Sequence, residues 1–315
     1  MLLLVFRAIT ILCRDGEIVI KQANSKGNKY TEIIYIKGKQ RKIMKEFSNI
    51  EHILSYARKA VEEYDMIENG DKIAVGVSGG KDSLTLLCAL AKLKRVLPFK
   101  YELVAVTVDM GLPNSDFSKI RELCDELEIP YHVVKTQIYE IIFDVRKEKN
   151  PCALCARMRR GALHDAIKGL GCNKLALGHH YDDVVETFML NLFFEGRVGC
   201  FRPVTYLSRK DITMIRPLIY TKEKLIKSFA TLDNLPVVKS ECPADGNTER
   251  ARMKEYLAIF DKEHRGLYHR IMGAIQRGEI DGFHADKIDA EEKKRRRELY
   301  KLISEGNNTD SDDAE

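Results

Sequence analysis

Three groups of residues in this sequence have the types and spacing to do chemistry. The first is Ser78-Gly79-Gly80-Lys81-Asp82-Ser83, set between the apolar runs Lys72–Val77 and Leu84–Leu90. The first run reads as a buried strand and the second as the apolar face of a helix. The six residues then form the turn from a strand end to a helix start. Free backbone N–H groups and the positive end of the helix dipole favour an anion there. Gly79 and Gly80 permit positive φ and close approach of a ligand. Ser78 and Ser83 offer hydroxyls, and Lys81 adds a point charge. A phosphate suits that description. The spacing is neither that of a Walker A loop nor GxGxxG.

The second group is Pro151-Cys152-Ala153-Leu154-Cys155, followed by Arg157, Arg159 and Arg160. Proline suits the first turn of a helix, which puts the two cysteines on one face near its N-terminus. Dipole and arginines favour thiolates, the form that soft metals and iron–sulfur clusters need. A lone CxxC is equally a redox pair or half of a zinc site. No second CxxC follows, which argues against a four-cysteine zinc ribbon. Cys242, in a polar stretch far along the chain, is the natural third ligand. Cys88 and Cys124 lie on apolar helical faces and read as core. Cys13, Cys172 and Cys200 have no paired spacing.

The third group is Gly178-His179-His180-Tyr181-Asp182-Asp183. Gly178 allows close approach of a ligand. Asp182 and Asp183 open a helix, where carboxylates cap and are stabilised by the dipole. One of them can also hold Mg²⁺ on nucleotide phosphates. A His-His pair at a strand end reads as polar packing more readily than as a metal site.

The elements that position these groups alternate. Strands are expected at 72–77, 103–108, 131–134 and 174–177, with an edge strand at 214–218. Helices are expected at 84–90, 117–127, 156–170 and 183–194. Such alternation implies a parallel sheet covered on both faces, with ligands beyond the C-terminal strand ends. Ser78–Ser83, Asp109 and Gly178-His179 all fall there. Residues 1–45 carry short strands and a basic stretch, Lys37 to Lys45, and form a small β appendage. Residues 46–250 form the core domain, and 251–315 a charged helical end. Within that end, Lys293–Arg297 is a basic run that suits RNA phosphates or simply a solvated helix face. An acidic tail from Glu305 follows, of disordered composition.

The bulk numbers exclude some classes. The chain has 315 residues, 44% hydrophobic and 31% charged, with formal net charge +5. That describes a globular protein, mildly basic, which permits a nucleic-acid partner without demanding one. No apolar stretch reaches the roughly 18 residues of a membrane span. Arg7 interrupts the apolar start at Met1–Phe6, and no small-residue cleavage site follows. Eight cysteines without a secretory signal suggest metal or catalytic chemistry in the cytoplasm.

Ser78–Ser83 resembles the PP-loop of ATP pyrophosphatases, which adenylate a substrate oxygen and release pyrophosphate. Together with Cys152/Cys155, Gly178-His179-x-x-Asp182-Asp183 and Cys242, it is similar to the TtcA-type tRNA 2-thiolation enzymes, over roughly residues 50–250. The resemblance implies a Rossmann-like doubly wound α/β fold of the PP-loop, adenine nucleotide alpha hydrolase-like type. It implies ATP over Ser78, Gly79, Gly80, Lys81, Asp82 and Ser83 and near Val108, Gly178 and Asp183, with Mg²⁺. It also implies a [4Fe–4S] cluster held by Cys152, Cys155 and Cys242, with one iron open to sulfide. Lys81, Asp183 and Arg159 would stand at the reacting centre. Some relatives carry Lys where Arg159 stands, and Arg cannot serve as a proton donor or base. Adenylation and thiolation of C2 in an unpaired pyrimidine of tRNA follow, most specifically 2-thiocytidine at an anticodon-loop cytidine (position 32). A sulfur donor (a cysteine desulfurase or free sulfide) is implied as partner, and a homodimer is allowed. The alternatives are a PP-loop thiolase of another tRNA base or of a small molecule, and, in a different class, a non-catalytic iron–sulfur or RNA-binding protein.

Overall fold

The computed structural model describes residues 9–14, 17–23 and 30–35 as backbone. It describes 47, 49–112, 115–147, 151–238, 248–284, 295 and 298 in full. Cys242, the basic stretch Lys37–Lys45, most of the run Lys293–Arg297 and the acidic tail lie outside the described residues. The chain divides into two compact units, Met1–Glu46 and Phe47–Glu315. The first holds an antiparallel meander, β1 (Ile9–Arg14), β2 (Glu17–Ala23) and β3 (Tyr30–Tyr35). Ile9 pairs with Gln22, and Ile18 with Tyr35.

The second unit begins with α1 (Glu51–Glu63), β4 (Lys72–Gly76) and α2 (Lys81–Leu93). It continues through β5 (Glu102–Asp109), α3 (Ser118–Glu126) and β6 (Tyr131–Lys135). A π-helix at Glu140–Val145 precedes α4 (Pro151–Gly169), then β7 (Lys174–Ala176) and α5 (Tyr181–Phe194). The hairpin β8 (Val204–Leu207) and β9 (Ile212–Ile215) leads to α6 (Glu223–Leu232), α7 (Glu249–Glu263) and α8 (Leu267–Arg277). No helix among the described residues is long and apolar enough to cross a membrane.

The six-stranded sheet runs β6-β5-β4-β7-β9-β8. Every pairing is parallel except β8 with β9. The expected edge strand near Met214 is therefore internal. Residues 204–207 fold back on it as a hairpin and take the edge instead. The chain winds from β4 out to β6, then returns to place β7 on the other side of β4. Strand order thus reverses between β4 and β7, and a crevice opens beyond their C-terminal ends.

Burial explains the layers. The three central residues of β4 are buried, as a strand covered on both faces requires. Nearly every residue of α2 from Ser83 to Leu93 is buried too. A helix that is apolar all round belongs in the middle of a layer, and α2 packs against α1 and α6. Phe47 stacks edge-on against Phe229 there, at 5.4 Å. Under α4, Ile167 and Cys172 pack with Ala74, Val104, Val106, Leu175 and Ile212.

At the opposite, N-terminal end of β7, Lys174 is buried. Its Nζ lies 2.8 Å from Asp71 Oδ2 and donates to Met66 O at 3.1 Å. Asp71 also accepts from Asn173 Nδ2 and from the Glu68 amide. Removing one partner of such a pair leaves an uncompensated buried charge. Lys174→Met should therefore cost about 3–5 kcal/mol of stability, measured by urea unfolding. Because the pair sits away from the PP-loop, nucleotide affinity should not change.

Candidate active site

The PP-loop leaves β4 at Val77, and only one of its glycines needs a special backbone. Gly79 has φ +83°, in the left-handed region. Gly80, expected to share it, has φ −76° and ψ 155° and is the N-cap of α2. With no side chain at the cap, the first N–H groups of α2 have no side-chain acceptor from that position. Ser83 braces the loop: its Oγ accepts from the Ser78 amide at 3.1 Å and donates to Gly80 O at 2.9 Å. Ser78 is exposed at the rim.

Lys81 Nζ reaches both Asp82 carboxylate oxygens at 3.0 Å and Glu223 Oε1 at 3.2 Å. Burial works against its charge, but Asp82 and Glu223 outweigh that and raise its pKa. Glu223 opens α6 and also meets Lys254 and Lys227, at 2.7 and 3.1 Å. Burial opposes its charge as well, yet these lysines hold its carboxyl down at about 2.

The turn after β7 lies directly against the PP-loop helix. A Cβ on Gly178 would stand 2.9 Å from the Asp82 carbonyl carbon and 3.0 Å from the Ser83 amide. A side chain at this position has no room beside the first turn of α2. His180, rather than an aspartate, is the N-cap of α5. Asp183 Oδ2 accepts from the His180 amide at 3.0 Å, and His180 Nδ1 accepts from the Asp183 amide at 3.4 Å, a reciprocal capping box. Asp182 caps a different helix: its Oδ2 accepts from the Glu223 amide at 2.7 Å. Asp183 Oδ1 faces Arg250 at 3.5 Å, and the same guanidinium group reaches Glu186 at 3.5 Å. Both histidines of the pair are engaged in packing, His180 as a cap and His179 against Phe201.

Glu186 is buried, and its Oε1 has no partner among the described residues. Burial first, then Asp183, pushes its carboxyl up to about 7, against Lys254 and Arg250. The folded state then holds a proton that the unfolded chain releases near 4.5. Stability from this group is thus lost as pH rises between those values. Glu186→Gln should flatten that slope in thermal melts from pH 4.5 to 8.

The CxxC begins α4, with Pro151 as its first residue. Cys152 is exposed and Cys155 half-buried, both as reduced thiols. Cys155 Sγ lies 3.6 Å from Met110 Sδ, directly after the last residue of β5. Val108 and Asp109 end that strand half-buried, so α4 starts at the same sheet end as the PP-loop. Arg159 is exposed one turn beyond Cys155, on its face. Cys88, Cys124, Cys172 and Cys200 are buried. Burial pushes the thiols of Cys124 and Cys200 up to about 12. Val238 donates its amide to Gly79 O at 3.0 Å, which ties the chain four residues before Cys242 to the PP-loop. Among the described residues no three His, Cys, Asp or Glu side chains form a metal site.

Sequence reasoning missed Glu223, Arg250, Glu186 and Arg216. No local spacing marks any of them as part of a site. Their roles come largely from partners on other elements, such as Lys81 and Lys254 for Glu223 and Asp183 for Arg250.

Residues 49–259 match the PP-loop domain family. The tRNA-cytidine(32) 2-sulfurtransferase of Geobacter sulfurreducens is 43% identical over 220 residues, 69% of this chain and 86% of that protein. Its namesake from Acinetobacter baumannii is 39% identical over 219 residues, 69% and 73%. Among solved structures, the U34-tRNA thiolase NcsA of Methanococcus maripaludis, with its [4Fe–4S] cluster, superposes with a TM-score of 0.60. That match has 26% identity and covers 75% of this chain and 84% of that one. With the loop, the acidic turn and the cysteine helix gathered at one sheet end, the chain is a member of the PP-loop family and belongs with the tRNA-cytidine(32) 2-sulfurtransferases.

Proposed function

We propose that this chain is an ATP-dependent tRNA thiolase, acting on C2 of an anticodon-loop cytidine, the cytidine(32) of its relatives. The observation that carries this reading is the meeting of two chemistries. The PP-loop after β4 and the CxxC that touches Met110 after β5 open at the same end of neighbouring strands.

The residues do the following. Amides at the start of α2, with Lys81, bind the ATP phosphates, and Mg²⁺ enters with the nucleotide. Val108 and Gly178 border the nucleotide, and Asp183 stands beside it on the capped first turn of α5. The cytidine O2 attacks the α-phosphorus, the α–β bond breaks, and pyrophosphate leaves. Sulfur at the sulfide level (HS⁻) then attacks C2, the C2–O bond breaks, AMP leaves with that oxygen, and the sulfur sheds its proton. Charge held by Lys81 and the loop amides stabilises both leaving groups. The cytidine must be unstacked to enter, which suits an unpaired loop base.

The donor set fits a cluster: two reduced cysteines on one helix face, with a third, Cys242, at most about 14 Å of chain from Val238. Cys152, Cys155 and Cys242 would hold a [4Fe–4S] cluster. When bound, it supplies the sulfur chemistry of the second step. Arg159 would face the tRNA phosphates beside it. We take residues 46–250 as the catalytic unit, the cytoplasm as its setting, and a cysteine desulfurase or free sulfide as the sulfur source. Assembly as a homodimer is tested by sedimentation.

The decisive experiment is mass spectrometry of tRNA nucleosides from a strain lacking this gene. Loss of 2-thiocytidine alone is expected. Intact 2-thiocytidine with loss of a 2-thiouridine would overturn the choice of base.

A further inference from the structure

One side chain of the turn after β7 has no part in the reaction outlined above. His179 follows Gly178, whose backbone lies against the first turn of α2. Its ring packs on Phe201, centroids 4.8 Å apart. Arg216, at the end of β9, closes one side. Its guanidinium carbon is 5.0 Å from the Phe201 ring centre, and its Nε donates to His179 Nδ1 at 3.3 Å. Through Nη1 it also donates to Arg202 O and Thr205 Oγ1. Arg216 is buried, and no carboxylate pairs with it among the described residues.

The hydrogen bond decides the tautomer. An arginine has donors only, so His179 Nδ1 must offer a lone pair. A neutral ring then carries its proton on Nε2. A second positive charge beside the guanidinium is disfavoured. Burial first, and Arg216 next, push the imidazole well below its ordinary pKa. The other charged neighbours are Asp183, which opposes this, and Arg250 and His180, which add to it. His179 is nevertheless only half-buried, and its Nε2 has no protein partner among the described residues. The result is a donor of fixed tautomer, one residue from the backbone that lies against the first turn of α2.

We infer that His179 donates from Nε2 to an oxygen of the α-phosphoryl group, with Arg216 as the positioning residue that sets its tautomer. This rests on the functional reading above. The α-phosphoryl group is common to both steps. It is attacked by O2 as pyrophosphate leaves, and it departs within AMP as sulfur takes C2. A neutral donor serves both without surrendering its proton. An imidazolium would risk protonating the cytidine and blocking its attack.

The test has two arms on the full chain. In ¹⁵N spectra of histidine-labelled protein, His179 should show a protonated Nε2 and bare Nδ1 at pH 7, with its signal assigned by its loss in His179→Gln. In Arg216→Gln the ring should titrate higher than in the wild type, while burial still holds it below the ordinary value of about 6.5. A protonated Nδ1 or an imidazolium at pH 7 overturns the inference.

The second arm is ATP–pyrophosphate exchange with tRNA under anaerobic conditions. Glutamine places an amide N–H near the Nε2 position, and asparagine only near Nδ1. His179→Asn should lower kcat about 10²-fold with KM for ATP within about threefold, while His179→Gln stays within about tenfold of wild type. Equal rates for the two variants, whether both are impaired or both are active, overturn the donor role. Absence of exchange in the wild type would instead sink the functional reading, and this inference with it.

Discussion

Alanine in place of Lys81 should lower kcat for ATP–pyrophosphate exchange by about 10³-fold and leave the protein folded. The lysine is the first residue of α2, and its ammonium group is fixed between Asp82 and Glu223 at the mouth of the loop. In the proposed mechanism it is the cation that meets charge developing as pyrophosphate separates. No neighbour substitutes for it: Lys254 and Lys227 are held on Glu223. Those same lysines keep Glu223 paired after the substitution, so the buried side of the site is not left with a lone carboxylate. Melting temperature should therefore barely move. Exchange at more than a tenth of the wild-type rate would show that the loop amides suffice, and would remove Lys81 from the mechanism.

Cys152→Ala and Cys155→Ala should separate the two half-reactions. Each should abolish 2-thiocytidine formation, a loss beyond about 10³-fold, yet keep exchange within about threefold of wild type. Cys152 is exposed and Cys155 touches Met110 at the rim, so neither truncation empties the core. Lys81 and the amides of α2 belong to a different element and keep their partners. Iron content read anaerobically should fall with the product. An unchanged iron content in Cys152→Ala, or loss of exchange alongside thiolation, contradicts the division of labour between the loop and the cysteine helix.

Much of this site is legible in the sequence alone. Ser78–Ser83 combines turn residues with flanking apolar runs, and its strand and helix are local consequences of that pattern. Pro151 marks the start of α4 because proline costs nothing where no amide partner exists. The errors have local causes too. Glycine at position 80 permits a left-handed backbone, but the N-cap of a helix takes an extended residue. The edge strand expected at 214–218 is internal because Val204–Leu207, short and weakly patterned, pairs outside it.

Composition and spacing, acting within a few residues, determined a strand–turn–helix unit of the kind that suits phosphate and paired thiols on a second helix. Only the fold decided what those groups face. It set β7 beside β4, so that Gly178 meets the backbone of α2. It turned Asp182 into the cap of α6, brought Glu223 to Lys81, and aimed Arg216 at His179. The physical reason is range. Turn geometry and helix starts follow from neighbouring dihedrals, whereas ion pairs and tautomers depend on which distant elements the buried core forces into contact.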